Sequence, residues 1–222
     1  MMTDRSTLTR VLLVHVGLAV VGIVALSIDA PARGWAVLAT VIVYVVALAA
    51  ACRSTGHTAW LSLVGFLCLV SAFQVVPDWI LSDVLGILSF PDQGGPRFDD
   101  VIPVAMGLMW VPPLFIALAV AGLSPGRSAV AAVIVFAGSE LLAPVVGLWE
   151  PTGSTTRLLG VALYVLPAEA ALGWAAAMGH RASTGRGVGT KVAAAAAVSV
   201  FYTGALVVSY FVIDVADWRI TT

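Results

Sequence analysis

The sequence predicts an all-α, polytopic membrane protein: a bundle of seven transmembrane helices with the N-terminus inside and the C-terminus outside. Of the 222 residues, 60% are hydrophobic and only 10% are charged, whereas a soluble domain carries about 25% charged residues. The mean hydropathy is +1.04. A soluble fold of this composition would have too little polar surface to cover itself, so lipid must serve as part of its solvent.

Seven apolar segments come close to the roughly 20 residues that a helix needs to cross a bilayer. They are residues 9–28, 34–52, 59–77, 101–123, 128–148, 157–178 and 191–213. The apolar run of the first segment is longer than that of a signal peptide, which has about 7–15 residues, so we predict a span there too. The whole chain, 1–222, is predicted to be one integral-membrane domain.

Residues 78–100, "DWILSDVLGILSFPDQGGPRFDD", are the one long connection. The first half of this segment predicts a short interfacial helix or a re-entrant piece. The second half contains "PDQGGPR", and this density of Gly and Pro predicts a loop. In "FDDVIP", Asp99 and Asp100 suit the N-terminal cap of the fourth span.

The distribution of Lys and Arg predicts the orientation, because positive charge concentrates on the cytoplasmic side. With the N-terminus inside, seven Lys and Arg residues lie inside and four outside, the last of them Arg219. Nine acidic residues, from Asp29 to Asp217, then fall on or near the outer rim, and only Asp4 lies inside. This asymmetry suggests a mouth lined with carboxyl groups.

Two glutamates lie well inside predicted spans: Glu140 in the fifth and Glu169 in the sixth. An ionisable group at mid-membrane is costly unless it faces a partner or a cavity. Counted from the shared outer end at the helical rise per residue, Glu140 lies about 12 Å deep and Glu169 about 18 Å deep. Small residues such as Gly173 share their helix faces, so the two carboxyl groups could line one cavity without touching. A structural hydrogen bond between helices is the simpler alternative.

Other polar residues are weaker candidates. Ser71, Gln74 and Asp78 form a stripe along the third span that ends at the outer rim. Asp78, Asp99 and Asp100 could each have a functional role. A role as a solvated residue at the rim, or at the start of a helix, explains their positions equally well.

Four further side chains have mainly structural interpretations. Glu150 lies near the membrane boundary, and a role at the rim is an alternative to function. His15 in the first span is expected to be a core histidine rather than a proton relay. Cys52 and Cys68 have no metal-binding spacing and are expected to act as small apolar residues.

Aromatic residues accompany the acidic ones, and five are candidate walls of a substrate pocket. These are Trp110, Trp174, Tyr164, Phe136 and Trp149. Aromatic faces stabilise a developing cation without attacking it. For Trp149, as for Trp79, anchoring at the membrane interface is the alternative.

A carboxyl group in an apolar pocket stays protonated near neutral pH, because its charged form is poorly solvated there. Such an acid can protonate a weak base such as an alkene or an epoxide. A second, ionised carboxylate can then take a proton back, so that the two form an acid–base pair. Together with aromatic walls, this pattern favours cation chemistry on a lipophilic substrate.

The small size, the seven spans and the acids on membrane helices resemble the integral-membrane terpene cyclases. These include fungal meroterpenoid cyclases and small actinobacterial cyclases that act on prenylated indoles or diketopiperazines. "LPAE", ending at Glu169, also resembles the first part of the P-x-E-E motif of membrane lycopene cyclases. The chain departs from that motif because Ala170 replaces the second Glu. The motif overlap covers residues 136–175.

The resemblance implies a metal-independent, protonation-initiated cyclase of the isomerase or lyase type in terpenoid secondary metabolism. Glu169 or Glu140 would be the acid, the other its partner, and Asp78 a member at the rim. The substrate would be a lipophilic prenylated molecule, with membrane lipid as the other partner. No cofactor, metal or nucleic acid is implied, and the location is a bacterial cell membrane. Consistent with this, neither DDxxD nor DxDD occurs.

Other membrane functions compete with this hypothesis. A proton-coupled transporter or channel would also explain buried acids, although no repeat of the kind transporters show is visible. A sterol-isomerase-like enzyme and an accessory subunit are further alternatives. A microbial rhodopsin needs a lysine in the middle of the seventh span, and the only lysine is Lys191, at the start of that span. The sequence leaves the oligomeric state open.

Overall fold

The computed structural model describes residues 5–216 and is 73% helical. The all-α fold class fits this architecture. Asp4, Asp217 and Arg219, which contributed to the predicted orientation, lie outside the described residues.

The N-terminal half consists of three long rods. Helix α1 spans Arg5–Leu26 and α2 spans Ala32–Ser54. The third rod combines α3 (Thr58–Phe73), α4 (Val75–Trp79) and a π-helical turn at Ile80–Val84 into a continuous helix of 27 residues.

The C-terminal half contains two short helices and three long ones. Helices α5 (Met106–Met109) and α6 (Val111–Val120) follow each other directly. They are followed by α7 (Pro125–Val146), α8 (Val165–Ser183) and α9 (Val188–Tyr210), and α9 ends in a π-helical turn at Phe211–Val215.

Six two-residue strands pair within and between the connecting loops. They are β1 (Leu88–Ser89), β2 (Arg97–Phe98), β3 (Ile102–Pro103), β4 (Glu150–Pro151), β5 (Arg157–Leu158) and β6 (Val161–Ala162). β2 pairs with β3 and β5 with β6 as antiparallel hairpins. β1 pairs with β4, which joins two loops that are far apart in sequence.

Five helices are long and apolar enough to cross a membrane: Arg5–Leu26, Ala32–Ser54, Thr58–Val84, Pro125–Val146 and Val188–Val215. Met106–Val120 is a shorter apolar helix. Large apolar side chains cover the outside of these helices, as shown by Ile23, which is 70% exposed, and Val145, which is 81% exposed. An aqueous solvent would not favour this much exposed hydrocarbon.

Several predicted boundaries differ from the structure. Residues 78–84, expected to form an interfacial or re-entrant piece, continue the third rod as helix. The fourth helical region begins at Met106 rather than at residue 101, and the sixth begins at Val165 rather than at residue 157. In both places a β-hairpin occupies the residues that were predicted to be the first turns of a helix.

The acidic pair in "FDDVIP" does not cap a helix. Asp99 and Asp100 have φ angles of 51° and 53° and form the turn of the β2–β3 hairpin. They are the central residues of a β-turn that is closed by a 3.0 Å hydrogen bond from the Val101 N–H to the Phe98 carbonyl oxygen. Two consecutive left-handed residues are what a type I′ turn requires, and Asp tolerates this conformation better than most residues. The N-cap prediction is therefore wrong.

The two ends of the bundle are built differently. At one end, which we call the short-turn end, the helices are joined by residues 55–57, 121–124 and 184–187. At the other, the loop end, the connections are 27–31, 85–105 and 147–164. Helices α7, α8 and α9 are neighbours in sequence, and α8 packs against both α7 and α9. A Cβ atom at Gly173 of α8 would lie 2.5 Å from Ser128 O of α7, so these two helices are in close backbone contact.

Candidate active-site cavity

A cavity of about 420 Å³ lies in the half of the bundle next to the loop end. Its walls come from α1, α2, the α4–α8 region and α9, and the wall is overwhelmingly apolar. Asp78 and Glu140 are the acidic side chains among its lining residues. The two carboxyl groups come from helices far apart in sequence, so the fold brings them to one space.

Asp78 lies on α4 and is 3% exposed. Its Oδ2 accepts a hydrogen bond of 3.2 Å from the indole Nε1 of Trp110. The backbone of Trp110 is itself held, because its N–H donates to Ser71 Oγ at 3.2 Å. Ser71 lies two helical turns before Asp78 on the same rod, so the polar stripe of the third rod positions both the carboxyl group and its indole donor.

Glu140 lies on α7 and is half-buried. Its Oε1 accepts a hydrogen bond of 3.1 Å from the indole Nε1 of Trp149. Helix α7 ends at Gly147, whose φ of 70° is the left-handed conformation that terminates helices and favours glycine. The resulting reversal brings Trp149 back over its own helix. Gln93 donates a hydrogen bond to the carbonyl oxygen of Gly147 and holds this turn.

The two carboxyl groups therefore have the same kind of hydrogen bonding. Each uses one oxygen to accept an indole N–H, and its second oxygen has no hydrogen-bond partner among residues 5–216. Some polar atoms of the described residues are fully enclosed and have no hydrogen-bond partner, but these two oxygens do not belong to that group. Each carboxyl group thus keeps one oxygen available to a molecule in the cavity.

Aromatic side chains form much of the remaining wall. The ring of Trp110 lies 5.3 Å from that of Phe136 and 5.6 Å from that of Tyr202, centroid to centroid. Tyr164 contacts Tyr210 with a centroid distance of 5.5 Å. Trp110, Phe136, Tyr164, Trp149 and Tyr202 all line the cavity.

Tyr202 was missed by sequence reasoning. It lies on α9 between Ser199 and Leu206, at spacings of three and four residues, and all three are buried. This spacing marks the inward face of a helix. The helical spacing of these three residues is therefore the signal in the sequence that identifies Tyr202.

Glu169 is not among the residues that line the cavity. It lies on α8, is 1% exposed, and its Oε2 has no hydrogen-bond partner within residues 5–216. It is within electrostatic range of Glu140 and of Tyr202. Glu169 therefore lies behind the cavity wall and not on its surface.

Trp174 also lies away from the cavity. Its side chain is 42% exposed on the outside of the bundle and contacts the ring of Phe201 in a tilted arrangement, with a centroid distance of 5.7 Å. Of the eight predicted site residues, the structure thus brings six to one cavity: Asp78, Glu140, Trp110, Phe136, Tyr164 and Trp149.

The remaining acids near the loop end stabilise local structure or are exposed. Asp99 Oδ2 accepts a hydrogen bond of 3.0 Å from the indole of Trp79. Asp92 Oδ1 accepts from the backbone of Gly94 at 2.9 Å. Glu150 is exposed and belongs to β4. These acids do not line the cavity, so within residues 5–216 the carboxyl groups of the cavity wall are those of Asp78 and Glu140.

His15 has two protein partners within the bundle. Its Nδ1 lies 2.8 Å from Val11 O, and its Nε2 lies 3.0 Å from the hydroxyl oxygen of Tyr44. The Nδ1–H group therefore donates to the carbonyl, and the Tyr44 hydroxyl donates to Nε2. Both ring nitrogens are satisfied, as expected for a core histidine. Cys52 and Cys68 are free thiols.

The loop end of the cavity is closed by paired loops. Leu88 of β1 and Pro151 of β4 face each other in the strand pair and both line the cavity, together with Phe90. Arg97 holds the first of these loops, because its guanidinium donates to the carbonyl oxygens of Phe90 at 2.8 Å and of Val101. No group of three metal-ligating His, Cys, Asp or Glu side chains occurs in the described part of the chain.

Comparison with protein families places residues 75–213 in a domain of unknown function, DUF6989. The matched range covers more than half of the chain, and the chain belongs to this family. It includes both cavity carboxyl groups and their indole donors, whereas α1 and α2 lie before it. Searches of curated proteins and of solved structures found no match.

Proposed function

We propose that this member of the DUF6989 family is a membrane-embedded, metal-independent terpene cyclase. It protonates an alkene or epoxide of a lipophilic prenylated substrate and closes rings through carbocations. One observation supports this above all: Asp78 and Glu140 project into a single apolar, aromatic cavity, each with one oxygen bound to an indole N–H and one available.

The size and chemistry of the cavity suit such a substrate. Small-molecule sites commonly have volumes of about 300–1,000 Å³, and their walls are mostly apolar with a few placed polar groups. A cavity of about 420 Å³ with two carboxyl groups falls in this range. A folded prenyl chain needs apolar contact along its length, and it needs polar groups only where protons are exchanged.

The proposed reaction balances without a cofactor. One carboxyl group, protonated in this water-poor site, gives H⁺ to the terminal double bond, whose electron pair forms the new C–H bond and leaves a tertiary cation. A second double bond attacks that cation and forms the ring C–C bond. The other carboxylate then removes a proton from the carbon next to the final cation, which restores a double bond. The product is an isomer of the substrate.

The aromatic wall has a defined part in this proposal. Trp110, Phe136, Tyr164 and Tyr202 present ring faces to the space where the cation develops, and such faces stabilise positive charge without forming a bond to it. The indoles of Trp110 and Trp149 also position the carboxyl groups. Each indole N–H fixes one oxygen of its acid, so that the other points toward the substrate.

Glu169 has a different role from the one the sequence suggested. Because it does not line the cavity, we assign the acid and the base to Asp78 and Glu140. Glu169 acts through its electrostatic interaction with Glu140 and Tyr202. It is a positioning residue in this proposal, and Trp174 has no part in substrate binding.

The proposal includes seven membrane crossings with the N-terminus inside. Helices Met106–Val120 and α8 complete the set begun by the five long apolar helices. Met106–Val120 has 15 residues and so a length of about 22 Å, shorter than the hydrocarbon core. The hairpins and paired loops at the loop end cover the remaining depth. That end is the outer face in this topology.

The test is an assay of membranes that contain the protein, incubated with a linear prenylated indole in the presence of a metal chelator. The proposal predicts a cyclic product of unchanged mass. Asp78→Asn and Glu140→Gln are expected to abolish it, whereas Asp83→Asn and Glu150→Gln, which change exposed acids outside the cavity, are expected to retain it. Full turnover by the Asp78→Asn, Glu140→Gln double variant would overturn the proposal.

A proton-coupled transporter or channel remains the contrasting function. It requires a path from the cavity to both sides of the membrane. Proteoliposomes that contain the purified protein are expected to show no proton flux when a pH gradient is imposed. Proton flux that Glu140→Gln abolishes, together with no cyclic product, would favour transport.

A further inference from the structure

The side of the cavity between α1 and α7 has no part in the proposed reaction. Ile23 on α1 and Leu142 on α7 both line the cavity, yet their side chains are 70% and 56% exposed on the outside of the bundle. A residue that is part of the cavity wall and also exposed marks a place where the cavity reaches the surface. The cavity is therefore open sideways, between α1 and α7.

The packing of α1 explains this opening. Helix α1 packs along α2, and it makes no comparably extensive contact with α7. In its first half, His15 stacks on Phe115 of α6 with a centroid distance of 5.9 Å, which closes that part of the helix against the bundle. In its second half the small residues Ala19 and Gly22 line the cavity. The gap thus lies beside the part of α1 where these two small residues leave space between α1 and the rest of the bundle.

The surroundings of the gap are apolar on both helices. Val16, Val20 and Val24 of α1 are all more than half exposed, and so is Val145 of α7. The loop end, by contrast, is closed over the cavity by the β1–β4 strand pair and by Phe90. A molecule that reaches the cavity from the side therefore crosses only hydrocarbon.

We propose that the substrate enters and leaves sideways, from the hydrocarbon core of the bilayer through the gap between α1 and α7. This inference rests on the proposed function for the identity of the substrate and names its class: a molecule with a long hydrocarbon chain that is already dissolved in the membrane. A water-soluble substrate, or one presented from the aqueous side, does not fit this route.

The experiment uses carbodiimides, which add to protonated carboxyl groups and leave a stable acylurea that mass spectrometry locates. The protein is reconstituted in proteoliposomes and treated with a lipophilic reagent, dicyclohexylcarbodiimide, or with a water-soluble one. We expect the lipophilic reagent to label Asp78 and Glu140 and the water-soluble one to leave both unlabelled. Glu169, outside the cavity wall, is expected to react more slowly than either.

A paired substitution identifies the route. The variant Ile23→Trp with Leu142→Trp places two large side chains at the gap and is expected to slow lipophilic labelling of Asp78 about tenfold, the effect of about 1.4 kcal/mol on a barrier. The matched control is Leu13→Trp with Ile134→Trp, which adds the same bulk to exposed positions on the same helices outside the cavity. In the control, Asp78 is expected to be labelled at the same rate as in the unsubstituted protein.

Each result has a defined meaning. Labelling by both reagents at equal rates would overturn the sideways route, as would equal labelling of the gap variant and the control. If the double variant fails to fold, Gly22→Leu alone narrows the same gap and is judged by the same criterion. The labelling needs no turnover, so the route can fail while the cyclase assay succeeds, and the route can hold while the cyclase assay fails.

Discussion

The two halves of the bundle have opposite organisations. Near the short-turn end, small residues let the helices touch: Gly173 and Ala176 of α8 and Ala132 of α7 are packed closely, and Leu63 and Leu67 of α3 are fully buried. Near the loop end, the helices separate around a cavity of about 420 Å³. Close packing provides rigidity at one end, and the space at the other end holds the reactive groups.

This contrast teaches where to look for function in a bundle of apolar helices. Both halves contain buried polar groups, so burial alone does not mark a site. Ser128 and Glu169 are buried within packed helices, and each has a polar atom without a hydrogen-bond partner in the described residues. Asp78 and Glu140 differ because they face open space. We therefore expect substitutions in the packed half to change stability and those around the cavity to change activity.

The largest expected effect is on the cavity carboxyl groups. Asp78→Asn or Glu140→Gln removes a group that must give or take a proton, and the loss of general acid–base catalysis lowers rates by about 10²–10⁴-fold. Turnover of the prenylated indole by membranes measures this effect. Glu169→Gln removes the positioning acid outside the cavity wall and is expected to lower turnover less than either of these substitutions. An equal loss of turnover in all three variants would contradict the distinction between acids that face the cavity and an acid that is buried behind its wall.

The packed half is tested by Gly173→Ala. The added methyl group would lie 2.5 Å from both Ala132 Cβ and Ser128 O, and overpacking of this kind costs about 1–3 kcal/mol. The expected result is a lower thermal unfolding temperature of the purified protein in detergent. Gly138→Ala on α7 meets nothing within 4 Å and is expected to be neutral or stabilising. A similar loss in both variants would contradict the close α7–α8 contact.

A smaller effect is expected for the indole donors. Trp149→Phe keeps an aromatic wall but removes the N–H group that binds Glu140 Oε1. A hydrogen bond to a charged group is worth about 1.5–3 kcal/mol, and we expect a loss of turnover of about tenfold or more. Trp174→Phe removes an indole from the outside of the bundle and is expected to leave turnover unchanged. If Trp174→Phe has the larger effect, the assignment of the cavity wall is wrong.

The smallest expected effect is that of Tyr44→Phe. This substitution removes the hydroxyl that donates to His15 Nε2, and a hydrogen bond of this kind contributes about 0.5–1.5 kcal/mol to stability. Thermal unfolding is expected to occur at a slightly lower temperature, with turnover per folded molecule retained. Loss of turnover at unchanged stability would instead make His15 a proton relay.

The sequence predicted the helical architecture, and six of its eight candidate site residues lie at one cavity, because both features follow from composition and from unusual residues. Acidic residues within apolar helices are rare and costly, so Glu140 and Glu169 stood out. Only Glu140 lines the cavity, and this difference between the two glutamates depends on how α7 and α8 are rotated about their axes. That rotation is set by tertiary packing, here by Gly173 against Ser128, and no local pattern reports it.

The two hairpins were missed for a related reason. Residues 157–162, "RLLGVA", are apolar enough to continue into the sixth helix. Gly160, with a φ of 89°, and Leu159, with a φ of 54°, turn the chain back instead. The position of Trp149 also depends on a left-handed residue, Gly147. Glycine permits such turns in many places, so the sequence does not show which glycines use that freedom.

The most direct test of the central claim is turnover of an all-alkene prenylated indole in D₂O. If a cavity carboxyl group protonates the terminal double bond, one carbon of that double bond gains a deuterium from the solvent. The cyclic product is then heavier by one carbon-bound deuterium than the product formed in H₂O. The deuterium should lie on the CH carbon of the former terminal double bond, next to the carbon that became the tertiary cation, and nuclear magnetic resonance can locate it there. A cyclic product that carries no carbon-bound deuterium would contradict the account.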